Sequence, residues 1–192
     1  ESSSPVLATE SAATSLSTLA RVPSLSPIER AATAAKEGHV EFAESQRGAT
    51  YNKLFGPYVA GATQITLKDP YIRKTYQVRN LAEFLETVYT YTNRSGEVHV
   101  HLITGCDEEY PDRQIDLSQV QATFGTLGIA LTYEFSESGH DRSIVTDTGW
   151  RVILGRGLDI YQRYSDNDWL NPLTRQQKLR RVKEFSVTYQ RK

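Results

Sequence analysis

His140, Arg142 and Asp147 stand in the pattern His-x-Arg-x4-Asp, a set of side chains suited to phosphate chemistry. An imidazole can attack phosphorus and carry a covalent phosphoryl group, splitting one hard displacement into two easier ones. A guanidinium neutralises phosphate oxygens and binds them bidentately. A carboxylate can orient the imidazole. These three residues are the candidate catalytic set. Twelve to nineteen residues further along, Val152-Ile-Leu-Gly-Arg-Gly-Leu-Asp159 brackets Arg156 between Gly155 and Gly157, and glycines there permit close backbone approach to an anion.

Each feature also has a plainer explanation. His140 and Asp141 can sit in a surface loop with Arg142 paired to a carboxylate, or the motif can hold a phosphate without reacting, or it can retain catalysis. Covalent displacement at phosphorus by an imidazole also calls for an acid to protonate the leaving group, a role that a second histidine can fill. The other histidines, His39, His99 and His101, begin no second copy of the pattern, so a symmetric homodimer would have to supply it. Arg156 either faces an anion or bridges Asp159 or Asp147 across a turn. Asp69-Pro70-Tyr71-Ile72-Arg73 follows a short strand, where open α/β sheets place ligands. Arg73 and Arg79 can face that crevice, although capping and internal pairing are the commoner roles for such residues. The candidate ligand-binding set is therefore Asp69, Arg73, Arg79, His140, Arg142, Arg156 and Asp159. His99 and His101 share a strand face at metal-like spacing, but no third ligand is evident beyond nearby acids and Cys106. A structural role is preferred for them, and no metal or cofactor is expected. Near the end, Arg175, Lys178, Arg180, Arg181 and Lys183 crowd an expected helix at 174–182. Such a run is either a solvated face or a patch for anionic lipid or nucleic acid.

The elements that must position these residues follow from periodicity and punctuation. Residues 1–26 hold fifteen Ser, Thr or Ala, too little apolar surface to offset ordering entropy, and read as a disordered linker. Ser26-Pro27-Ile28-Glu29 is a capping box opening a helix to about Glu37, and 27–50 is read as that helix with a connector. A helix is expected over 51–60, a strand at 65–67, a helix over 75–90, a strand at 97–104, a helix at 117–127 and a strand at 130–135. That alternation favours right-handed crossovers and a mostly parallel central sheet flanked by helices, an α/β fold. Strands at 143–146 and 151–154 would join through Asp147-Thr148-Gly149, and a last strand spans 185–189.

Bulk properties narrow the setting. The chain has 192 residues and a net charge of −1, so any affinity for nucleic acid or membrane must rest on a local patch. A single cysteine points to a reducing, cytoplasmic setting. No apolar run approaches a membrane span, and no secretory signal opens the chain. It starts with Glu1 rather than Met, as a piece cut from something longer would.

With Lys in place of Arg142, the spacing would be that of the phospholipase D active-site motif. In chain order, Asp69-Pro-Tyr-Ile-Arg73, Asn80-Leu-x-x-Phe84, the strand 98–104, His140-Asp-Arg142, Gly149-Trp150 and Gly155-Arg-Gly-Leu-Asp159 resemble the C-terminal domain of the MIT-domain-containing cytokinesis protein family, a phospholipase D-like module. The resemblance covers about 51–192. It implies a phospholipase D-like fold without the full catalytic pair, working as a dimeric binding or targeting domain for a phosphate-bearing partner such as anionic lipid or nucleic acid. The chain is also similar to a bacterial branch appended to larger proteins, including AAA+ or Lon-like ATPases linked to phage defence, which implies an upstream domain or partner ATPase. The competing expectations are a homodimeric, metal-independent nuclease or phosphodiesterase using His140, and a protein-interaction domain of a larger ATPase.

Overall fold

The computed structural model describes residues 26–92, 96–105, 113–136, 140–163 and 170–192, without the side chains of 113–115. The expected linker up to residue 25, Cys106 and the acidic stretch at 107–112 lie outside the described residues.

Ser26 opens α1 (Pro27–Ala34) with the expected capping box. Its Oγ accepts the Glu29 N–H at 3.2 Å, and the Glu29 carboxylate accepts the Ser26 N–H at 2.7 Å. The helix stops three residues before Glu37, because the chain turns extended at Ala35 and enters β1 (Gly38–Phe42). Val40 and Phe42 alternate with His39 and Glu41, but this pattern is too short to stand out beside the expected helix. The strand lies at the sheet edge, exposed except for half-buried Phe42, and is held by pairing with β7 (Phe185–Arg191) and by Phe42 stacked on Phe185 at 4.5 Å.

The expected helix at 51–60 forms as two single turns, α2 (Tyr51–Leu54) and α3 (Gly56–Val59), broken at Phe55. Pro57 has no N–H to continue the first turn. The apolar residues Leu54, Phe55, Tyr58 and Val59 are all buried. Then come β2 (Gln64–Lys68), α4 (Thr75–Tyr91), β3 (Val98–Thr104), α5 (Arg113–Gly125) and β4 (Ile129–Phe135). The helical stripe Val78, Leu81, Phe84, Leu85 and Val88 is the buried face of α4. Strands β2, β3 and β4 pair in parallel through these helical crossovers.

The second half departs from the expected, mostly parallel sheet. β5 (Ser143–Thr146) runs antiparallel to β2, and β6 (Trp150–Leu154) antiparallel to both β5 and β7. The sheet is mixed, with seven strands in the order β1-β7-β6-β5-β2-β3-β4. The reason is connection length. Only Asp147-Thr148-Gly149, with Gly149 at φ +85, separates β5 from β6, and a parallel pair needs a crossover of a dozen residues or more. Ile65, Leu67, Val100, Leu102, Ile144 and Val152 lie buried on one face of the sheet. Alternate residues such as His39, His99, Thr132 and Arg151 are exposed on the other. No helix among the described residues is long and apolar enough to cross a membrane.

The expected basic helix at 174–182 is also corrected. The segment forms one helical turn, α6 (Pro172–Arg175), then a 3₁₀ turn at Gln177–Leu179. Tertiary bonds override the local pattern here. Gln177 reaches the Tyr51 N–H (2.8 Å) and Glu83 (2.9 Å), and Arg180 makes a bidentate pair with Glu83 at 2.6 and 2.8 Å. Arg180 is only 9% exposed and lies 5.0 Å from the Tyr161 ring. Removing one partner strands a buried charge, so Glu83→Ala is expected to cost roughly 3–5 kcal/mol in urea unfolding. Glu97→Ala, which disturbs only an exposed contact to His99, should cost less than about 1 kcal/mol.

Candidate functional site

The register of β2 against β5 places Lys68 opposite Ser143, and that of β2 against β3 places Lys68 beside Ile103. Asp69 and Arg142, one step beyond β2 and β5, therefore share a rung with Thr104, the last residue of β3, on the face that carries Leu67 and Ile144. The loops converging on this sheet end enclose an open groove of about 900 Å³, lined by Tyr71, Arg142, Gly155, Arg156, Asp159 and Phe185 among others.

Arg142 is half-buried. Its Nη1 donates to the Gly155 carbonyl at 2.6 Å, and its guanidinium lies 4.3 Å from the Tyr71 ring centroid, within cation–π range. Its Nε is buried without a hydrogen-bond partner among the described residues. Arg156 is exposed and anchored in the same manner, with Nε donating to the Glu184 carbonyl at 2.7 Å. Neither arginine forms an ion pair among the described residues. Both are positioned by neutral oxygens and keep their charge. Of the two alternatives for Arg156, the bridge to Asp159 or Asp147 does not form among the described residues, where these carboxylates bond Lys183 and Thr63.

His140 enters the same neighbourhood from the segment just before β5. It is exposed, and its Nδ1 lies 2.9 Å from the Tyr71 hydroxyl, with the rings stacked at 6.5 Å. Its orienting partner is thus a neutral phenol. Asp147 is not brought to this site. It follows the far end of β5, where its carboxylate accepts the Thr63 N–H at 3.1 Å and the Thr63 hydroxyl at 2.6 Å, capping the start of β2. The His-x-Arg-x4-Asp spacing spans a strand, so its two ends face opposite edges of the sheet.

Asp159 accepts from Lys183 at 2.8 Å and from the Tyr76 hydroxyl at 3.3 Å, so its charge is already matched. Arg73 lies on the same turn as Tyr71, 5.3 Å from that ring, with its N–H bonded to Gln77. Arg79 stands exposed on α4 and does not line the groove. Of the C-terminal basic set, Arg180 and Lys183 are used internally, while Arg175, Lys178 and Arg181 are exposed. His101 bonds Thr132 at 2.9 Å, and His99 lies 3.6 Å from Glu97. Tyr71 is the residue that reasoning from the sequence passed over. Its signal was a half-buried aromatic side chain set between Asp69-Pro70 and Arg73, next to the buried Ile72.

Asp69 is buried, 2% exposed, and its two oxygens accept the Tyr71 N–H (3.1 Å) and the Leu158 N–H (2.9 Å). Burial pushes its carboxyl above the ordinary 3.8, against the opposing pull of those two N–H groups and Arg142. A carboxyl raised in the folded state contributes stability that is complete below the unfolded value and is lost as pH rises through the folded one. The stability of Asp69→Asn relative to the unsubstituted chain should therefore improve as pH is raised from below 3.8 towards neutrality, as read from urea midpoints at each pH. A flat difference across that window would contradict the assignment.

Three comparisons bear on this geometry. The sequence profile of the family described as the phospholipase D-like domain at the C-terminus of MIT matches residues 48–191. The mouse (Mus musculus) protein "MIT domain-containing protein 1" is 31% identical over 128 residues, which cover 65% of this chain and 50% of that protein. Among solved structures, that of TrmBL2, an archaeal chromatin protein described as showing a novel mode of DNA binding, aligns with a TM-score of 0.36 at 9% identity. That alignment covers 83% of this chain and 48% of the other. The chain spans about half the length of these relatives.

Proposed function

Because this chain belongs to the family of phospholipase D-like domains found at the C-terminus of MIT proteins, we propose that its groove is a non-catalytic receptor for a phosphate-bearing partner, an anionic lipid or a nucleic acid. One observation carries the reading. Arg142 and Arg156 line the same groove, each anchored through a backbone carbonyl and neither in an ion pair among the described residues, although Glu41, Asp159 and Glu184 line it too. An arginine held this way has lost conformational freedom but not charge, and its remaining N–H donors suit phosphate oxygens. The C-terminal basic set is a weaker candidate, since Arg180 and Lys183 are already paired inside the fold.

Two features favour binding over turnover. The imidazole of His140 meets a phenol where a carboxylate would hold and charge-stabilise it, and Asp147 caps Thr63 at the far edge. A phosphodiesterase assembled across a homodimer is the second reading. It is favoured by the exposed His140 ring, whose Nδ1 is tied to Tyr71 while Nε2 has no partner among the described residues. Dimerisation and attachment to a larger protein or ATPase belong to the same proposal.

Charge reversal separates these readings. Arg142→Glu with Arg156→Glu should weaken binding to phosphatidylserine vesicles, or to a single-stranded oligonucleotide, by at least about tenfold. Alanine at Arg175, Lys178 and Arg181 should leave it nearly unchanged. Binding that survives the reversal in both assays overturns the receptor reading, and phosphodiester hydrolysis that is lost in His140→Ala replaces it with the enzyme.

A further inference from the structure

We infer that Asp69 is the positioning residue of the groove, holding its two arginine-bearing walls together without touching the ligand. Its purpose rests on the receptor reading, while its mechanism rests on geometry alone. The carboxylate takes one N–H from each wall. Tyr71 belongs to the first, and its ring underlies Arg142 while its hydroxyl meets His140. Leu158 belongs to the second, two residues after Arg156.

The fit between the second wall and the carboxylate leaves no slack. Gly157 sits at φ +64, and a Cβ added there would fall 2.1 Å from the Asp69 carboxylate. Only glycine lets the loop lie this close. On the common rung, the neighbours Thr104 and Arg142 each bear a buried side-chain atom without a hydrogen-bond partner among the described residues, Thr104 Oγ1 and Arg142 Nε. Neither competes for the Asp69 oxygens, which stay directed at the two backbone donors. At 2% exposure the carboxylate is out of reach of anything entering from solvent.

The residue type matters as much as the place. An ionised carboxylate presents acceptors to both N–H groups, whereas an amide presents one acceptor and turns its NH₂ against the other donor. Burial acts against the ionised form, while the two N–H groups and Arg142 favour it.

The test uses the full chain with Asp69→Asn and, separately, Gly157→Ala, which removes no charge. Two readouts are needed: amide hydrogen exchange at Tyr71 and Leu158 in the free protein, and affinity for inorganic phosphate by NMR titration. Asp69→Asn should speed exchange at both amides by about tenfold or more and weaken phosphate binding by a similar factor, since a hydrogen bond to a charged group is lost. Gly157→Ala should do the same at Leu158. Exchange at Val100 and Val152, in the sheet core, should stay as it is. Unchanged protection of Tyr71 and Leu158 in Asp69→Asn overturns the inference, as does looser protection with undiminished phosphate affinity. If the unsubstituted chain takes no phosphate while both amides still loosen, the receptor reading fails and the positioning role stands.

Discussion

Lys68 faces Ser143 where β2 and β5 run antiparallel, and that register brings Asp69 and Arg142 to the same end of the sheet. The site depends on this pairing. It sets Tyr71 under the Arg142 guanidinium and within reach of His140, and it places Gly155 where its carbonyl anchors Arg142. The same register sends Asp147 away. The four residues of β5 separate it from Arg142, five steps and on the order of 16 Å along the strand, and its carboxylate closes the start of β2 instead.

A second constraint is how the positive charges are used. Arg180 is buried against Glu83 and ties α4 to the C-terminal segment, and Lys183 matches Asp159 behind the groove. These pairs belong to the architecture. Arg142 and Arg156 are held by carbonyl oxygens, which fix direction and leave charge available. With the whole chain at −1, the groove's affinity for an anion would come from this local arrangement rather than from a general field.

Much of the framework was legible in the residues. The stripe on α4, the alternation of β3 and the capping box at Ser26 each carry a local physical signature, and each element forms close to its expected place. Other parts were hidden for equally physical reasons. β1 offers only Val40 and Phe42 as an apolar alternation, because as an edge strand it buries almost nothing. The C-terminal run looked helical until Glu83 drew in Gln177 and Arg180 from nearly a hundred residues away. Strand direction in the second half was visible in the short turn at 147–149 but was outweighed by the strand–helix alternation before it. At the site, His140, Arg142 and Arg156 were legible from type and spacing. The role of Tyr71 was not, since it arises only when two segments 69 residues apart meet. The inward turn of Asp69 likewise needed the Gly157 contact to be seen.

The most direct measurement of the central claim is an NMR titration of the full chain with inorganic phosphate, following the arginine side-chain Nε–Hε resonances. The account predicts that the Arg142 and Arg156 signals shift together and saturably while the Arg180 signal stays in place. Shifts confined to Arg175 and Arg181, or none at Arg142 and Arg156, would contradict it.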